Sequence, residues 1–161
     1  MTFDVLVALH VACAVVGFGA VAVSGVYGRT ARRAGDQQAS EEARRYFASP
    51  GRLEWLILAV PFLGAGALAA RPGRDDFTAV WVLGGAAIWL VSAGLLLWVV
   101  RPAERAIRAA TSAQAPGSPA GQAGGAHQAV VAGAGRRLMW ASVVCDVGFV
   151  VALALMVGQP A

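Results

Sequence analysis

The chain has 161 residues, of which 58% are hydrophobic and only 14% charged, with thirteen basic side chains against nine acidic ones. A soluble domain carries about a quarter charged residues, so this is a membrane composition, with room for neither a second domain nor a soluble catalytic module. The basic excess does not call for a nucleic-acid partner, because no aromatic or base-reading companions accompany the arginines.

The first apolar run, about residues 3–27 (FDVLVALHVACAVVGFGAVAVSGVY), exceeds the roughly 20 residues that carry a helix across about 30 Å of hydrocarbon. It lacks the basic start and short core of a secretory signal, so it reads as a retained span. His10, Cys13, Ala14, Gly17, Ala20 and Ser24 recur at steps of three and four, opposite a bulkier face of Val15, Phe18, Val23 and Val26. Lipid tails are as apolar as leucine, so helices associate through small residues, and the small face is expected to look inward.

Residues 28–52 follow, with a helix-compatible stretch, DQQASEEARRYFASPGR, that holds a Glu41 to Arg45 pair at i, i+4. It predicts a short helix along the membrane, stopped at Pro50-Gly51. A second span occupies about residues 53–70, where Pro61 removes a backbone donor and is expected to kink the helix. A third covers about residues 77–100 and a fourth about residues 138–158, both with small residues (Gly84, Gly85 and Ser92; Gly148 and Ala152) for packing. Between these two, residues 101–137 run through TSAQAPGSPAGQAGGAH, rich in Gly, Ala, Ser and Pro, and read as a mobile linker. The expected architecture is all-α: a single domain, residues 1–161, folded as a four-transmembrane-helix bundle.

All thirteen basic residues are arginine: six lie in segment 28–52 and five in segment 101–137. The positive-inside rule turns both segments to the cytoplasm and both termini outside, in the plasma membrane, with the arginines touching anionic lipid. Tyr27, Trp55, Trp98 and Trp140 then belong near the inner interface, and Phe3, Phe77 and Trp81 near the outer one. Trp89 falls mid-span and is assigned to packing.

Three ionisable residues inside spans need an account, since each costs roughly 2.5–3.5 kcal/mol on insertion scales. Glu54 stands beside Arg52 at the start of its span, where an interfacial salt bridge or cap accounts for it. His10 and Asp146 lie deeper, and helix rise leaves less than about 10 Å between them along the membrane normal. If the first and fourth spans are neighbours, the two can pair, directly or through water. The plainer alternative has His10 bonded to a backbone carbonyl and Asp146 protonated or bonded to Ser142.

A metal or haem site through His10 is a further alternative. Its weakness is that the second histidine, His127, lies in the linker, so haem would need a dimer or another ligand. Cys13 and Cys145, one in each of two spans, read as small buried thiols. No nucleophile elbow, phosphate loop, zinc-ligand spacing or pair of intramembrane carboxylates is visible, and no catalytic residue is assigned.

The stretches LHVACAVVGFGAVAVSGVYGRTARR, RLEWLILAVPFLGAGAL, LLLWVVRPAERAIRAA and VALALMVGQP together resemble the predicted integral membrane family called domain of unknown function 2269. The places that carry the likeness are Leu9, His10, Gly17, Glu54, Met156, Val157 and Pro160. Gln159 departs from the family, where a basic residue often precedes the final proline. The resemblance implies a polytopic membrane protein and transfers no catalytic residue. The arginine, alanine and glycine usage points to a GC-rich bacterial genome. The expected role is a non-catalytic accessory or scaffold subunit without a cofactor, associating with itself or another membrane protein. The competing expectation is a small carrier or a haem- or copper-linked redox protein that uses His10, with Asp146 as a proton-linked group.

Overall fold

The computed structural model describes residues 2–32, 37–48, 53–71, 76–112 and 124–158. Helix α1 (Thr2–Ala31) is followed by the short α2 (Gln37–Ala48) and by α3 (Leu56–Ala69). A 3-10 turn (Asp76–Thr78) leads into α4 (Val80–Leu95), which runs through a π-helical segment (Leu96–Val100) directly into α5 (Arg101–Ser112); α6 (Gly124–Val157) completes the fold. Among the described residues there is no strand.

Three helices are long and apolar enough to cross a bilayer: Thr2–Ala31, Val80–Ala110 and Gln128–Val157. The α3 helix, 14 residues long, rises about 21 Å, less than the about 30 Å of a hydrocarbon core. Hydrogen bonds from Leu56 N to Leu53 O and from Ile57 N to Glu54 O draw its first turn back to Leu53. The protein is thus a bundle of membrane-length helices with one shorter apolar partner.

The central helix is α1, which packs against α3 on one side and α6 on the other, while α6 also meets α4 and α5. Glycine makes the closest approaches. A Cβ on Gly17 would lie 2.8 Å from the Ile57 amide nitrogen, and one on Gly135 would collide with the Gly28 carbonyl. The small face expected on α1 is buried at Ala14, Gly17 and Ser24, while Val15, Val23 and Val26 are exposed.

Phe18 departs from the expectation that it faces lipid. It is buried and stacks on Phe149 of α6, with ring centroids 5.0 Å apart. The small residues around it leave room at the α1–α6 seam, and an aromatic pair fills that room.

The two arginine-rich segments also differ from one another. Helix α2 and its Glu41–Arg45 pair, 3.4 Å apart, agree with the sequence reading. The supposed linker does not. Residues 101–112 continue α4 as α5, and α6 begins at Gly124, well before the apolar run. The buried side chains Ala103, Ile107 and Ala110 recur at helical spacing and give α5 an inward face. The Pro50-Gly51 stop, the segment 113–123 and the terminal Gln159 and Pro160 lie outside the described residues.

Pro102 follows the π segment. A proline offers no N–H to the preceding turn, and the wider turn, with Arg101 N bonded to Leu96 O, carries the chain past that gap without ending the helix.

Candidate functional site

At the arginine-rich end of the bundle a buried hydroxyl collects four elements. Ser24, fully buried on α1, lies 2.8 Å from the Tyr46 hydroxyl of α2 and 3.1 Å from Oε1 of both Glu54 and Glu104. Glu54 stands at the first turn of α3 and Glu104 on α5, and the two are only 2% and 3% exposed. A serine hydroxyl has one hydrogen and two lone pairs, so Ser24 shares that single hydrogen between the two Oε1 atoms, and its lone pairs are left to accept from the Tyr46 hydroxyl. The surrounding packing fixes the geometry: Tyr46 stacks on Tyr27 with centroids 4.2 Å apart, and Arg108 Nε donates to Phe47 O at 2.9 Å. Nearby, the Arg101 guanidinium lies 4.3 Å from the centre of the Trp55 ring, a cation–π contact.

Glu54, read as an interfacial salt bridge or cap beside Arg52, is 2% exposed and accepts from Ser24, while Arg52 lies outside the described residues. One sequence expectation is corrected here. A carboxylate pair exists. It escaped the sequence reading because its members are far apart along the chain, and because Glu104 lies in a segment read as a linker. The available signal was the spacing Ala103, Glu104, Ile107 and Ala110, which puts Glu104 on the apolar face of a continuing helix.

In the middle of the bundle the polar groups serve the backbone. Pro61 has no N–H for the Ile57 carbonyl, and the Trp89 indole supplies the missing donor at 2.8 Å. Trp89 is therefore a packing residue, as expected, with a specific polar task.

His10 reaches Val60 O of α3 with Nδ1 at 2.8 Å. Its ring rests on Gly64, where a Cβ would be 3.0 Å from Nδ1 and Cε1. A carbonyl only accepts, so Nδ1 donates to it, and in the neutral form of the ring Nε2 is the acceptor.

Asp146 is half-buried on α6, and among the described residues no hydrogen bond or ion pair joins it to His10. The first and last long helices are neighbours, but the histidine turns to α3 instead. Ser142 bonds the Met139 carbonyl, not Asp146. Val143, Val147 and Val150, around Asp146 on the same helix, are exposed. Cys145, one residue earlier, is buried, and Cys13 is half-buried; both are free thiols. Among the described residues, no group of three or more His, Cys, Asp or Glu side chains is arranged to hold a metal ion.

The long apolar helices, the glycine seams and the proline-relieved backbone all belong to a protein built for lipid. No curated protein and no solved structure matches the chain. A family model described as a predicted integral membrane protein, however, matches residues 4–160. Covered over almost its whole length, the chain belongs to that family of predicted integral membrane proteins, domain of unknown function 2269.

Proposed function

We propose that the protein is a non-catalytic accessory or scaffold subunit of the plasma membrane, docking a second integral membrane protein or another copy of itself through the α6 face around Asp146. One observation carries this reading. Asp146 lies in the apolar stretch of α6 among exposed valines, where a bare carboxyl group costs roughly 2.5–3.5 kcal/mol, so a partner helix that donates to it recovers that cost. His10, Trp89 and Ser24, in contrast, bind groups within the chain.

The accompanying topology has four spans, with α3 the shortest, the arginine-rich end in the cytoplasm and both termini outside. Arg29, Arg32, Arg45, Arg101, Arg105, Arg108, Arg136 and Arg137 lie at one end of the helices and support that orientation.

The test is a photocrosslinking residue at Val150, one turn from Asp146, in native membranes. A discrete protein adduct is expected, and Asp146→Ala should abolish it while leaving protein abundance unchanged. An adduct pattern that Asp146→Ala does not alter overturns the docking reading. So does a purified protein that carries a haem band or stoichiometric copper lost in His10→Ala; that result would favour the redox alternative, for which the Nε2 lone pair of His10 is the available ligand atom.

A further inference from the structure

Beside the π segment, on the outer surface of the bundle, a groove of about 270 Å³ runs between the α4 helix with its π extension and α6. Leu95, Val99 and Val144 form its apolar wall, and Arg136, Arg137 and Trp140 stand along the α6 side. Helix rise sets the depth: from Arg137 to Val144 the groove descends about 10 Å toward the middle of the membrane. The facing helix runs the other way, so Val99 lies near the arginine pair and Leu95 lies deeper.

The chemistry of the groove is graded along that depth. At the mouth stand two consecutive exposed arginines, Arg136 and Arg137, and among the described residues neither makes an ion pair with a carboxylate. Trp140, 61% exposed, comes next, at the level where indole rings settle between headgroups and acyl chains. Below it the walls are entirely aliphatic. Glu104, the acidic group of the adjoining α5, is turned into the bundle and bound to Ser24, so it does not offset the arginines.

We infer that this groove is a binding site for one anionic phospholipid of the leaflet at the arginine-rich end. Arg136 and Arg137 take the phosphate through charge-assisted hydrogen bonds, Trp140 packs at the glycerol level, and one acyl chain lies along Leu95, Val99 and Val144. A free phosphate would fill only the mouth. The aliphatic floor commits the site to a lipid.

The experiment is native mass spectrometry of the full chain released from detergent, with phosphatidylglycerol, phosphatidylcholine or inorganic phosphate added. One phosphatidylglycerol is expected to stay bound, at least tenfold in preference to phosphatidylcholine. The double variant Arg136→Gln, Arg137→Gln should lose that preference at least tenfold, whereas Arg105→Gln, an exposed arginine on α5 outside the groove, should keep it. Val144→Trp, which obstructs the deep end while keeping both charges, should weaken lipid retention to a similar degree.

Equal loss in Arg105→Gln would overturn the site in favour of diffuse charge attraction. Retention unaffected by Val144→Trp, or displacement of the lipid by inorganic phosphate alone, would overturn the groove as the binding element.

Discussion

At the arginine-rich end of the bundle helices meet backbone to backbone, with Gly28 of α1 against Gly135 of α6, and close over a hydroxyl shared by two carboxyl groups. At the opposite end the contacts between helices made by glycines are with side chains, Gly84 against the Leu155 Cδ1 methyl and Gly148 against the Ile88 Cγ2 methyl. A side-chain tip can rotate away from an intruding methyl group; a carbonyl in a helix cannot. The first end is therefore specified by shape and hydrogen-bond directions together, and the second by apolar filling with one histidine contact.

Gly135→Val attacks the specified end most directly. It is expected to lose at least the about 3 kcal/mol at the upper limit usual for overpacking, read as a drop in unfolding midpoint in mixed micelles, whereas Gly84→Ala should shift that midpoint only slightly. Equal effects of the two would erase the contrast.

Ser24→Ala tests the hydrogen-bonded half of the same end. Removing the hydroxyl takes a partner from Glu54, Glu104 and Tyr46 at once, and the loss should be about 1–3 kcal/mol in the same assay. A change below about 0.5 kcal/mol would mean that water reaches these carboxyl groups as readily as Ser24 does.

Trp89→Phe, in the middle of the bundle, should have a smaller effect than Ser24→Ala, about 0.6–1.7 kcal/mol for one intramembrane hydrogen bond. Pro61→Ala restores the amide that the Ile57 carbonyl lacks, so Trp89→Phe should cost less in that background. A purely additive pair would show that the indole contributes packing alone.

The helices were legible because their apolar runs are long and uninterrupted, and the inward face of α1 because its small residues keep helical spacing. The arginine-rich segments were harder to read. RPAERAIRAA has a proline and several charges, and composition alone favours a loop over a helix carried past proline by a π segment. The site around Ser24 was half visible. Ser24 belonged to the small face and Glu54 was singled out, but Glu104 and Tyr46 converge on them only once α2 and α5 have folded back over the end of α1. Asp146 was found for its rarity, and its surroundings on α6 required knowledge of which neighbour His10 chose.

The cluster around Ser24 also sets an order of assembly during biosynthesis. Ser24 is made first, Tyr46 and Glu54 follow, and Glu104 arrives only after the α4 helix has been inserted. A chain arrested before α5 has the hydroxyl and the first carboxyl group but not the second. The shared contact therefore closes late, and a chain that ends before α5 leaves Ser24 with Tyr46 and one carboxyl group where the finished protein has two.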